Sequence, residues 1–191
     1  MKFRTVITLI LLGTVLSFPQ DFKKTATSGF VFLQIPVTAR STALGESSVA
    51  LSDMGSSSVF TNPAGLGFNE SDHSFSASYS PWLADIKHYA ASYSIKSDMG
   101  IWAVSALAVD YGTMPKTKKI TGQKVYEVLG DFSANAIALG LSYSRALTDK
   151  FSFGVTVKYV REGIDGYSAS NVLFDGGILY YTGLKSLRIG A

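Results

Sequence analysis

The sequence predicts an all-β chain: part of an antiparallel transmembrane β-barrel, preceded by an N-terminal hatch segment. Three observations lead there. From residue 72 onward, apolar residues alternate with small or polar ones at period two. Charged residues make up only 16%, where a soluble domain carries about 25%, while hydrophobic residues reach 47% and aromatics 13%. Beyond residue 17 no apolar run is long enough for a membrane helix, so any crossing has to be made by strands.

Residues 1–17 read as a signal peptide. Lys2 and Arg4 precede the apolar run from Val6 to Leu16, which is shorter than the ~20 residues a spanning helix needs. Ser17 supplies a small residue for cleavage nearby; an N-terminal membrane anchor is the alternative. Without this segment, 15 basic residues face 14 acidic ones, and that balance gives no basic surface for nucleic acid. Cysteine is absent, so the exported chain has no disulfides, no thiolate metal site and no cysteine nucleophile.

Residues 18–71 read as a hatch or plug. They are rich in Ser, Thr, Ala and Gly, and residues 39–45 and 49–53 are compatible with short helical or irregular pieces. A flexible linker is the competing reading, but Phe30, Phe32, Leu33, Ile35 and Phe60 oppose it. The stretch Asn62-Pro63-Ala64-Gly65 carries the strongest local signal. Pro63 fixes its own φ and pushes Asn62 into an extended conformation, and Gly65 and Gly67 are expected to let the chain reverse where a side chain would clash.

Residues 72–191 read as the first half of the barrel. Alternation marks strands at 73–80, 86–96, 132–145, 150–160 and 171–181, with a seventh beginning at 187–189. The segment 99–109 is apolar on both faces, which leaves its orientation open. The strongest alternation is Phe151, Phe153, Val155, Val157 and Tyr159 against Ser152, Gly154, Thr156 and Lys158. The larger row is assigned to lipid and the smaller to the lumen, with Tyr79, Tyr89, Tyr159 and Tyr180 placed for interfacial girdles. Short turns at 97–98, 148–150 and 182–184 alternate with longer connections at 81–85, 110–131 and 161–170. That is the arrangement of an outer-membrane barrel, short turns facing the periplasm. A soluble β-sandwich also alternates, but it would carry more charge. Single-chain bacterial barrels use an even number of strands, eight or more, so a longer protein is expected, with assembly from several copies as the alternative.

Catalytic constellations are scarce, and no enzyme is expected. Ser71-Asp72-His73 has triad residue types, but neighbours at a strand start do not form a triad. His88 stands alone on the small-residue row, and two histidines without cysteine give no metal site or cofactor. Gly65-Leu66-Gly67 lacks the strand and helix of a dinucleotide loop. Asn69-Glu70-Ser71 matches a glycosylation sequon by chance. Lys158 and Asp175 fall on lumen-facing rows of adjacent strands, where charges inside a membrane pair with one another.

From Gly29 onward the chain resembles the PorV/PorQ family of outer-membrane proteins, within the wider FadL-like barrel group. The matching stretches are Phe32-Leu33-Gln34-Ile35, Ala43-Leu44-Gly45-Glu46, Asn62-Pro63-Ala64-Gly65-Leu66, Pro81-Trp82-Leu83, Tyr143-Ser144-Arg145-Ala146-Leu147 and Asp175-Gly176-Gly177, in that order. The resemblance implies a 14-stranded barrel, about seven strands of which are here, with the Asn-Pro-Ala motif in its hatch. It implies the outer membrane of a diderm bacterium, with membrane lipid as a neighbour. PorV-like proteins support type IX secretion, so the implied partners are secreted cargo or secretion-system components, met through the loops and above all 110–131. The alternative is a FadL-like channel holding a hydrophobic ligand in its lumen.

Overall fold

The computed structural model describes residues 29–120 and 126–191. The expected signal peptide, residues 18–28 of the expected hatch and residues 121–125 of the expected connection 110–131 lie outside the described residues. Seven strands form one antiparallel sheet in chain order: β1 (His73–Pro81), β2 (Lys87–Ser97), β3 (Gly100–Lys119), β4 (Tyr126–Ala146), β5 (Phe151–Ile164), β6 (Tyr167–Tyr181) and β7 (Arg188–Gly190). Each strand pairs with the next, so the sheet is a meander curved into a half-barrel.

The distribution of side chains is the reverse of a water-soluble sheet. Phe75, Val104, Leu141, Val155 and Phe174 stand exposed on the convex face, while Ser92, Ser94, Ser142, Ser144, Ser152 and Thr156 are buried on the concave one. On β5 the outward positions from Phe151 to Tyr159 carry no charge, a run of about 27 Å along the strand. A strand tilted as barrel strands are crosses a hydrocarbon layer in that length. The aromatics mark its borders. Trp102, Tyr143 and Phe153 touch in series at the short-turn end, with centroids 4.8 and 6.1 Å apart. Tyr79 and Tyr89 pair at 5.2 Å toward the other end.

Burial settles the orientation of 99–109. Ile101, Ala103, Leu107 and Val109 point inward, and Trp102 and Val104 point outward. The inward residues meet the segment 29–71, which fills the concavity. Phe32 and Val37 pack on Ala90, Leu107, Val109, Ala136, Ala138 and Val160. Val59 and Leu66 pack on Ile101 and Ala103. Fully burying a side chain such as Phe32 or Leu66 contributes about 1.5–3 kcal/mol. The segment itself contains one short helix, α1 (Ala39–Ala43), capped by the Thr38 hydroxyl accepting from the Ser41 amide, and 3₁₀ turns at Val31–Gln34, Gly55–Phe60 and Pro63–Phe68.

Two of the three expected long connections are largely strand. β5 and β6 run to Ile164 and Tyr167, leaving only Asp165-Gly166 as a turn, with φ of +47° and +82°. Asp-Gly is a two-residue hairpin signal that matches the twist of the flanking strands, and it outweighs the polar composition around it. Most of the expected loop 110–131 likewise continues β3 and β4 as a paired ribbon, with register shifts at Asp110/Thr113 and Lys116/Thr117.

Candidate functional site

The Asn62 turn is where the inner segment grips the wall. Asn62 is extended (φ −145°, ψ 109°), as a residue before proline is constrained to be. Its Oδ1 accepts from the Ala64 amide at 3.0 Å, capping the 3₁₀ turn in which Pro63 takes the first position. Its Nδ2 donates to the Val49 carbonyl at 2.8 Å and to the Ile178 carbonyl of β6 at 3.0 Å. The Ser152 hydroxyl of β5 donates to the Ala64 carbonyl at 2.6 Å. One buried side chain therefore ties together its own turn, the preceding loop and the wall. Asn62→Ala strands these groups and is expected to cost about 2 kcal/mol in urea unfolding; a midpoint equal to the parent's would contradict the role.

The seat beneath the turn is made by two glycines. Gly154 and Gly177 face each other in register on β5 and β6. A Cβ on Gly154 would lie 2.5 Å from the Ala64 nitrogen and 2.7 Å from the Pro63 oxygen, and one on Gly177 would overlap Asn62 Oδ1. Gly65 and Gly67 both lie in the 3₁₀ turn, and neither adopts a positive φ. Both are closely approached: added Cβ atoms would sit 2.9 Å from the Leu51 oxygen and 2.8 Å from Ser152 Cβ. Ser152, Gly154 and Gly177 were legible in the sequence only as members of a small-residue row. The available signal was that the smallest members of that row lie on neighbouring strands.

Lys158 and Asp175 come together, Nζ to Oδ2 at 2.5 Å. They are diagonal neighbours, since Thr156 is the residue opposite Asp175. Their side chains are 20% and 41% exposed, so part of the attraction is screened. Lys158 also borders a cavity of about 630 Å³ between wall and inner segment, whose apolar lining includes Leu33, Ile35, Val37, Phe60 and Leu107. Reversing either charge alone is expected to cost about 2 kcal/mol, and reversing both to restore most of it. Equal loss in all three variants would exclude a stabilising pair.

The inner segment has further attachments. Arg40 Nη2 lies 2.8 Å from Asp53 Oδ2. Arg188 donates to the Ser52 hydroxyl at 3.2 Å and stacks 5.1 Å over the Tyr181 ring, whose hydroxyl also bonds Ser52. Hydrogen bonding from the Arg40 guanidinium holds the Asp53 carboxyl below the usual carboxylate range, against a smaller opposing effect of burial. A depressed carboxyl contributes stability above its unfolded value of about 3.9 and loses it as pH falls through the lower folded value. The stability difference between parent and Arg40→Met, at most about 1 kcal/mol for so exposed a pair, is therefore expected at neutral pH and should vanish in acid. A difference that grows in acid would contradict the assignment.

The remaining sequence candidates separate. His73 Nδ1 meets the Tyr93 hydroxyl at 2.7 Å, and Asp72 offers its backbone carbonyl to the Lys96 amide. His88 is buried beside Trp82, with both ring nitrogens unpartnered among the described residues.

An uncharged apolar band bordered by aromatics, around a concavity filled by the chain's own N-terminal segment, defines the wall of an outer-membrane β-barrel. Within that class the relationship is specific: a family model for the type IX secretion system protein PorV matches residues 18–174. The chain belongs to the PorV family. No curated protein sequence matches it.

Proposed function

We propose that this protein supports the export or surface attachment of secreted proteins as a non-catalytic outer-membrane component of type IX secretion, reaching the membrane by a signal peptide. The observation that carries the reading is the division of the half-barrel into a filled concavity and a projecting ribbon. Residues 29–71 occupy the inner face through buried contacts and specific hydrogen bonds, while β3 and β4 extend well beyond the lipid-facing band. Such a shape presents a contact surface to secreted cargo or secretion-system components rather than an open bore. The test is removal of the ribbon, residues 111–133, from the full-length protein in its native host. Loss of surface-attached cargo at an unchanged outer-membrane level is expected; undiminished attachment would sink the reading.

The cavity of about 630 Å³ favours a second reading, a FadL-like channel for hydrophobic small molecules. Its volume and apolar lining suit a small amphiphile. Here the Asn62 turn would govern the path, and liposome uptake of a long-chain fatty acid by the full-length protein decides. A rate no higher than that of the Asn62→Ala, Pro63→Ala variant would count against transport.

A further inference from the structure

We propose that the cleft between the ribbon and the β5–β6 hairpin binds an organic cation, an ammonium group carried on an apolar or aromatic stem. The cleft shares no lining residue with the larger cavity at Lys158, so the inference goes beyond both readings above.

The cleft has a volume of about 490 Å³, within the range of small-molecule sites. One wall is the base of the ribbon, with Tyr111 and Met114 of β3 and Ala134 of β4. The other is the hairpin, with Glu162, Ile164 and Tyr167. Among the lining residues only Glu162 carries a formal charge. It stands on the inward row of β5, beyond Tyr159 where the uncharged outward run ends, so the cleft lies past the lipid-facing band.

The carboxylate is anchored but not neutralised. Its Oε2 accepts from the Phe30 amide at 3.1 Å, and Phe30 packs on the core between inner segment and wall. That bond holds the carboxylate in place and leaves most of its accepting capacity unused. Among the described residues no cation pairs with it. Arg161, the next residue, turns to the opposite face and donates to Ser168 Oγ at 3.4 Å, while Lys116 of the ribbon is paired with Asp165. A half-buried carboxylate gains more from a cation than one on an open surface, because apolar walls screen the attraction less than water does.

The walls select the rest of the ligand. Tyr111 and Tyr167 supply rings that attract a cation electrostatically and pack against an apolar stem. Tyr167 is 80% and Ile164 53% exposed, which leaves apolar surface at the rim for a ligand to cover. Lys116 Nζ reaches Asp165 Oδ2 at 2.5 Å and so fastens the ribbon to the hairpin turn. The two walls are thereby held together before anything binds, and less freedom is lost on binding. An anion would meet the Glu162 charge with no cation in the lining to offset it.

The test is calorimetric titration of the full-length protein in nanodiscs of zwitterionic lipid at neutral pH, with empty nanodiscs as the blank. The probes are 2-phenylethylammonium, neutral 2-phenylethanol, the anion 3-phenylpropionate, and a short peptide with a lysine between leucines. Expected is saturable binding of the ammonium about tenfold tighter than of the alcohol, and no binding of the anion. Glu162→Gln keeps an acceptor for the Phe30 amide, so its unfolding midpoint should stay near the parent's. The affinity for the ammonium should fall about tenfold in that variant, and that for the alcohol should not change. Tyr167→Ala, at the exposed rim, should weaken the ammonium about threefold without disturbing the fold. Tighter binding of the peptide than of the free amine identifies a polypeptide lysine as the source, and the reverse identifies a small amine; either supports the assignment. Equal affinities for the three small probes, ammonium binding unaltered in both variants, or no binding of either cation each overturns it.

Discussion

Gly177→Val is expected to unseat the Asn62 turn and destabilise the protein by about 3–5 kcal/mol, while Gly176→Val, one residue away, leaves stability unchanged or slightly raised. The first side chain would enter space already held by Asn62 Oδ1. Overpacking of that kind costs about 1–3 kcal/mol. Displacing Asn62 also breaks its bonds to the Val49 and Ile178 carbonyls, each worth about 1 kcal/mol net. A Cβ at Gly176 meets nothing within 4 Å, and valine suits an extended backbone better than glycine does. Urea unfolding in lipid vesicles measures both, and protease cleavage within 29–71 shows whether the inner segment has come loose. A parental midpoint for Gly177→Val would mean that the turn has another resting place.

Leu141→Arg is expected to cost about 2–4 kcal/mol, the penalty for arginine near the bilayer midplane on a barrel's outer face. Leu141 is 52% exposed in the structure, and in a water-soluble sheet an arginine there would change stability by less than about 0.5 kcal/mol. The substitution therefore separates a lipid-facing wall from a soluble sandwich by sign and size. Val128→Arg supplies the contrast, because Val128 is 57% exposed but lies on the ribbon beyond the apolar band. If the two variants unfold alike in vesicles, the convex face does not meet lipid.

Strand positions were largely legible because a half-exposed strand writes its two faces into alternate residues. Phe151 to Tyr159 did so without ambiguity. Segment 99–109 did not, since its inward residues Ile101, Leu107 and Val109 pack against the inner segment and are as apolar as the outward Trp102 and Val104. Periodicity reports a contrast between environments and falls silent when both are apolar. The ribbon and the Asp165-Gly166 hairpin look like loops in the sequence because their composition is polar, although Asp-Gly is itself a hairpin signal. The importance of Asn62-Pro63 could be read locally, as a cap and a constrained φ. Its seat could not, because Gly154 and Gly177 matter through what occupies the space above them, and that depends on a contact between residues far apart in the chain.

The bond from Asn62 Nδ2 to the Ile178 carbonyl joins positions 116 residues apart. It gives the molecule an order of assembly. The inner segment is synthesised before any strand of the wall, yet its resting place does not exist until β5 and β6 have paired. Contacts so distant in sequence form late, since a large loop must close before they stabilise anything. Until then Asn62, Pro63 and Ala64 have nothing to hold, so the first part of the described chain to be made is the last to settle.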